Sequence, residues 1–188
     1  LDGSENPPLK WHYSLKGARH LLLVTDNRTR RSFVSPVGPP GNMSPAALEE
    51  VIPAEPRPAG IEVVIVVTSL PVIGPPLFDE VIAPLAFRTY DLISYAKYGN
   101  ERLKSMPGTN PDAIEAWAFA PGAFEGLLKR LEPYRRVVFL SGDVHYGSGQ
   151  FLSYWKKEDV EPARFVQFTS SGLRNVMPEF IRFADRSF

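Results

Sequence analysis

Asp143 and His145 are the residues of this chain whose types and separation best suit holding a cation or moving a proton. They lie in Ser141-Gly142-Asp143-Val144-His145-Tyr146-Gly147, directly after the apolar run Val137 to Leu140. A short continuous apolar run of this kind reads as a strand buried on both faces. Ser141 and Gly142 then let the chain leave the sheet. If the backbone stays extended beyond them, positions 143 and 145 project to the same side, because strand side chains alternate with period two. A carboxylate beside an imidazole supplies two metal ligands, or half of an acid/base site. Strand carboxyl ends are also where open α/β sheets bind ligands. The plainer alternative is a turn aspartate next to a surface histidine; the strand in front and the flanking glycines favour the site.

A second cluster follows another apolar run. His20 to Thr25 leads into Asp26-Asn27-Arg28-Thr29-Arg30-Arg31. Arginine suits phosphate because its planar fork donates two parallel hydrogen bonds. Residue types alone divide evenly between anion binding and a solvated turn holding an Asp–Arg ion pair. Thr68 and Ser69 end a third run; taken singly, such hydroxyls more often satisfy nearby backbone groups.

The elements that must position these residues can be read along the chain. Trp11, Tyr13 and Leu15 alternate with polar residues as in a half-buried strand, and Lys16-Gly17 turns it back into a hairpin with His20–Thr25. Residues 36–58 hold seven of the 19 prolines and form a connector within one domain. Inside it, Ser44-Pro45 announces a short helix by its N-cap and first-turn proline. In residues 61–68, six of eight are Val or Ile, so this strand should be central. Residues from about 77 to 110 read as a peripheral helical insertion, and Asn110-Pro111-Asp112 as a helix start. From Pro121, Phe124, Leu127, Leu128 and Leu131 recur at i, i+3, i+4 and i+7, the stripe of a helix packed on a sheet. Trp117 reads as core. Residues 151–155 and 164–169 are further strands, the latter ending in Ser170-Ser171-Gly172. Residues 176–188 resemble a helix that Phe180 and Phe183 would dock.

Composition narrows the classes of function. The chain has 188 residues, enough for a single domain with a core or for a large part of a bigger one. Lys+Arg and Asp+Glu are equal at 21, so no basic footprint argues for nucleic acid or an anionic membrane. Cysteine is absent, so any metal must use oxygen and imidazole donors. No apolar run approaches the ~20 residues of a membrane helix, and no signal peptide is visible. The compartment is not indicated. The chain starts at Leu1 rather than Met, as a chain trimmed at its front would.

Four segments together resemble the carboxyl-terminal part of a PhoD-like metallophosphoesterase, a branch of the calcineurin-like family. They are Leu23 to Arg31, Val63 to Pro71, Glu115-Ala116-Trp117 with the helix from Pro121, and Leu140-Ser141-Gly142-Asp143-Val144-His145. The last is the specific one, similar to the family's Ser-Gly-Asp-Val-His. The resemblance implies an α/β (α+β) fold, part of a metallophosphatase-type β-sandwich flanked by helices. It implies hydrolysis of phosphate mono- or diesters at a dinuclear site of divalent or trivalent ions (Fe, Mn, Zn or Ca). Asp143 and His145 match metal ligands, and Asp26 and Arg28 match a pair that supports the site, with Arg28 near the phosphate or bracing the loop.

The family's amino-terminal ligand motifs have no counterpart here. The expectation is therefore half a site, with the other half of the fold in cis or on another chain, and little metal binding or hydrolysis by these 188 residues alone. The competing expectation is a truncated or degenerate module kept for interaction or assembly, which would leave a sheet face and an edge uncovered. A metal-independent hydrolase using Ser141 or Ser170 with His145 is a third; it lacks a Gly-x-Ser-x-Gly elbow.

Overall fold

A computed structural model of the chain describes residues 10–32, 41–52, 57–77, 81, 85, 117–144, 146–157 and 160–171. The segments read above as a helical insertion at about 77–110, a helix start at 110–112 and a helix at 176–188 fall largely or wholly outside these residues. So does His145. Among the described residues, six strands form one mixed sheet: β1 (Tyr13–Lys16), β2 (His20–Val24), β3 (Val63–Val67), β4 (Arg136–Ser141), β5 (Ser148–Tyr154) and β6 (Ala163–Thr169). The spatial order is β1-β2-β3-β4-β6-β5. β2, β3, β4 and β6 run parallel, while β1 and β5 pair antiparallel at the two edges. With helices α1 (Pro45–Val51) and α2 (Pro121–Leu131), this is an α/β fold.

The layering follows from the strand order. Successive parallel strands are added in one direction across the sheet, and parallel crossovers are right-handed, so their helices fall on one face. α1 and α2 share that face and one core. They touch where Gly126 meets Leu48, whose Cδ1 would lie 3.5 Å from a Cβ at position 126. Arg130 of α2 donates from Nη1 to the carbonyl of Ile52 at 3.0 Å, satisfying a group at the end of α1. Ser44 caps α1 by accepting from the Ala47 amide at 3.1 Å, as its position before Pro45 predicts.

The core alternates along each strand. Leu21 and Leu23, Val64 and Val66, Val137 and Phe139, and Ala163 and Phe165 point at the helices and are buried. Leu127, Leu128 and Leu131 of α2 meet them, and Trp117 is core, 1% exposed. Each buried Val, Leu or Phe side chain here contributes about 1.5–3 kcal/mol by leaving water.

Two sequence expectations are corrected here. β4 is not buried on both faces: Val137 and Phe139 are inside, but Leu140 is 39% exposed. Its residues are apolar on both sides, yet among the described residues only one side meets helices. β1 is not half-buried either. Tyr13 to Lys16 are exposed throughout, because β1 is an edge strand beyond the reach of the helices.

Tyr154 ties β5 to α2. Its hydroxyl donates to Glu125 Oε1 at 2.7 Å, and burial together with this bond pushes the phenol up to about 12 from 10.0. An unfolded tyrosine loses its proton near pH 10. The contribution is therefore complete below pH 10 and declines as pH rises from 10 toward 12. Tyr154→Phe should remove that part of the alkaline loss, read as the difference between the two proteins in urea midpoint against pH. Parallel curves would show that Tyr154 carries no such linkage.

Candidate functional site

The carboxyl ends of the four parallel strands gather a polar cluster. β2 delivers Thr25-Asp26-Asn27, β3 Thr68-Ser69, β4 Ser141-Gly142-Asp143 and β6 Thr169-Ser170. Parallel pairing brings all four to one edge of the sheet, where the buried ladders end and backbone groups need new partners. Main-chain bonds bind these ends together: Thr25 N to Val67 O (2.9 Å), Thr68 N to Leu140 O (3.0 Å) and Ser170 N to Ser141 O (2.9 Å).

Asp26 is 6% exposed and spent on its own turn. Its Oδ1 accepts from the amides of Arg28 (3.1 Å) and Thr29 (2.8 Å), and its Oδ2 accepts from the Thr29 hydroxyl. Burial pushes its carboxyl up, but the Thr29 and Arg28 hydrogen bonds and the nearby Arg30 charge outweigh that and hold it below the ordinary range. Asp26 thus shapes the loop that carries Arg28.

The three arginines separate. Arg30 pairs with Glu50, and Arg31 donates from Nε to the carbonyl of Asn27 at 3.1 Å. Arg28 reaches across the strand ends and pairs with Asp143. This Asp–Arg pair joins turns far apart in sequence. Both side chains are about half exposed, so the pair adds at most about 1 kcal/mol. Its importance is positional: it joins the two segments that carry the candidate site residues.

Asp143 differs from expectation in backbone. β4 ends at Ser141, and Asp143 has φ 61°, a left-handed turn rather than extended chain. Aspartate is among the few L-residues that visit this region readily. The same turn brings Gly142 against β6: a Cβ at 142 would lie 2.9 Å from the Ser170 carbonyl oxygen, closer than real Cβ atoms come. Only glycine fits there. The two-residue alternation proposed for positions 143 and 145 thus loses its premise at Asp143, while His145 lies outside the described residues.

Two buried residues escaped the sequence reading. Asn27, 1% exposed, accepts the Thr68 hydroxyl at 2.8 Å and the Thr25 hydroxyl, locking β2 to β3. Among the described residues, its side-chain amide nitrogen has no hydrogen-bond partner, and neither has Ser69 Oγ. Gln167, 0% exposed, ties β6 to two other segments. Its Oε1 accepts from Val72 N (3.0 Å) and its Nε2 donates to Ser141 Oγ (2.8 Å). The signal for Gln167 was a polar residue at an inward position of an apolar strand, which a buried chain tolerates only when fully bonded. Gln167→Leu should cost about 1–3 kcal/mol by leaving the Val72 amide unsatisfied. Hydrogen exchange should show that amide losing protection; unchanged exchange would remove Gln167 from this role.

A carboxylate such as that of Asp143 suits a hard or borderline cation chemically. Among the described residues, however, no group of three or more His, Asp or Glu is placed to hold a metal ion. The described donors alone therefore do not fit a dinuclear centre. Among the described residues, no helix is long and apolar enough to cross a membrane. No family model, no curated protein and no solved structure matches the chain.

Proposed function

We propose that this chain is the carboxyl-terminal part of a metal-dependent phosphoesterase of the PhoD-like type, acting on phosphate mono- or diesters. The observation that carries this reading is the Arg28–Asp143 pair. It sets a carboxylate donor and a phosphate-binding guanidinium side by side at the carboxyl ends of β2 and β4. Asp143 and His145 are assigned as cation ligands, Arg28 as the group that meets the phosphate, and Asp26 as the anchor of its loop. A bound cation would supply charge stabilisation at phosphorus. The remaining ligands come from another half of the fold, in cis or on another chain.

The alternative is a non-catalytic module of the same fold used for interaction or assembly. The exposed apolar sheet face favours it, with Phe151 and Phe168 both more than half exposed. Hydrolysis of bis-p-nitrophenyl phosphate by a longer protein containing these residues separates the two. The phosphoesterase reading expects activity that chelation removes and added Mn²⁺, Fe²⁺ or Zn²⁺ restores. Activity that ignores chelation, or none with any of these ions, overturns it.

A further inference from the structure

Glu49 and Glu50 stand in the last turn of α1, where a helix presents unsatisfied carbonyls and favours cations over carboxylates. A local rule broken in this way points to a task set elsewhere in the fold. Each carboxylate is held by an arginine from another element. Glu49 pairs with Arg130 of α2 at 2.9 Å, which ties helix to helix. Glu50 pairs with Arg30, from the loop after β2 that also carries Arg28.

Arg30 is fixed to α1 at both ends of that helix. Its carbonyl accepts from the amide of Ser44, the N-cap, at 2.9 Å. Its guanidinium reaches Glu50 Oε2 in the last turn. The other carboxylate oxygen, Oε1, takes Lys10, and His12 Nε2 lies 3.6 Å from it. Glu50 thus joins the segment before β1 and the loop after β2 to one helix. The Lys10 hydrogen bond, with the Arg30 charge, outweighs desolvation and holds the Glu50 carboxyl below its ordinary range.

Arg28 therefore lies between two anchors. On one side, Asp26 accepts from the amides of Arg28 and Thr29. On the other, Arg30 is strapped to α1 by main chain and side chain together. The two anchors fix where the Arg28 side chain starts, and hence the arc its guanidinium sweeps beside Asp143. A binding group held in place beforehand costs less to order when a ligand arrives.

We propose that Glu50 is a positioning residue: through Arg30 it holds the loop of residues 26–31 against α1, so that Arg28 is set to receive a phosphate oxygen of the substrate. Glu50 itself touches no substrate. The task of Arg28 rests on the proposed function; the strap from Glu50 to its loop does not.

Glu50→Ala tests this in the longer protein with bis-p-nitrophenyl phosphate, with Glu49→Ala as the control. Alanine is the best helix former, and losing a carboxylate from the last turn suits the helix dipole, so both variants should keep α1. Glu50→Ala should raise KM by about 10-fold with kcat changed less than ~2-fold, the pattern of lost substrate binding. Glu49→Ala should change neither. Arg30→Gln should reproduce the rise in KM, and combining it with Glu50→Ala should add little, because the two act as one unit. Hydrogen exchange supplies a readout independent of activity: the Arg28 and Thr29 amides should exchange at least ~10-fold faster in Glu50→Ala and no faster in Glu49→Ala. An unchanged KM in Glu50→Ala, an equal rise in Glu49→Ala, or unchanged exchange at both amides overturns the proposal. If the parent protein hydrolyses nothing, the phosphoesterase reading falls and exchange alone decides the strap, so the two failures give different results.

Discussion

Asp143→Asn and His145→Ala should each lower kcat/KM for bis-p-nitrophenyl phosphate by at least ~10³-fold in the longer protein, the scale of loss when a group acting in the transition state is removed. Asp143 occupies a left-handed turn at the end of β4, and asparagine keeps both the size and the tolerance for that turn. The substitution thus removes charge without disturbing the backbone. If both groups serve one cation, the double variant should lose little more than either single one, because residues acting as a unit are not additive. Two independent losses that multiply would mean separate roles. Activity unchanged in either single variant would favour the non-catalytic module.

The largest effect on stability should come from Phe165→Ala. Phe165 is 0% exposed at the centre of β6. Its ring stacks on Phe139 with centroids 5.9 Å apart and takes the edge of Tyr154 at 6.2 Å. Truncation removes buried apolar surface and leaves a cavity between a sheet and helices that cannot close on it, at a cost of about 3–5 kcal/mol. Stability of a domain is only about 5–15 kcal/mol, so much of it would go. Tyr154 would also lose the ring that steadies it beside Glu125. Urea unfolding measures this directly; a change below ~1 kcal/mol would mean the site repacks and β6 is not central to the core.

How legible this was in the sequence depended on the range of the interaction. The strands around Val64, Val137 and Phe165 declare themselves through local β-branched and aromatic runs, and both helices through Ser44-Pro45 and Pro121. Strand order does not, because pairing such as β4 with β6 around an intervening β5 is set by distant contacts. Apolar residues on both sides of β4 look like double burial in sequence, since a side chain cannot announce what lies opposite it. Leu140 and Phe168 are exposed for that reason.

The candidate site was legible in type and not in geometry. The Ser-Gly-Asp and Asp-Asn-Arg segments stood out, and both lie at strand carboxyl ends. That Arg28 pairs with Asp143 while Asp26 accepts bonds from its own turn is something only the folded loop reveals. The close approach of Gly142 to Ser170 beside the bend at Asp143 is likewise a contact between distant segments. Gln167 and Asn27 are buried polar residues whose partners come from other segments, so their function as struts is invisible in a linear pattern.

The central claim is that Asp143 and His145 hold a cation that other ligands complete. Isothermal titration with Mn²⁺, Fe²⁺ and Zn²⁺ tests it most directly, on the isolated chain, on the longer protein and on its Asp143→Asn and His145→Ala variants. The account predicts weak binding by the isolated chain, about two tightly held ions in the longer protein, and loss of tight binding in each variant. Submicromolar binding by the isolated chain, or unchanged affinity and stoichiometry in both variants, would contradict it.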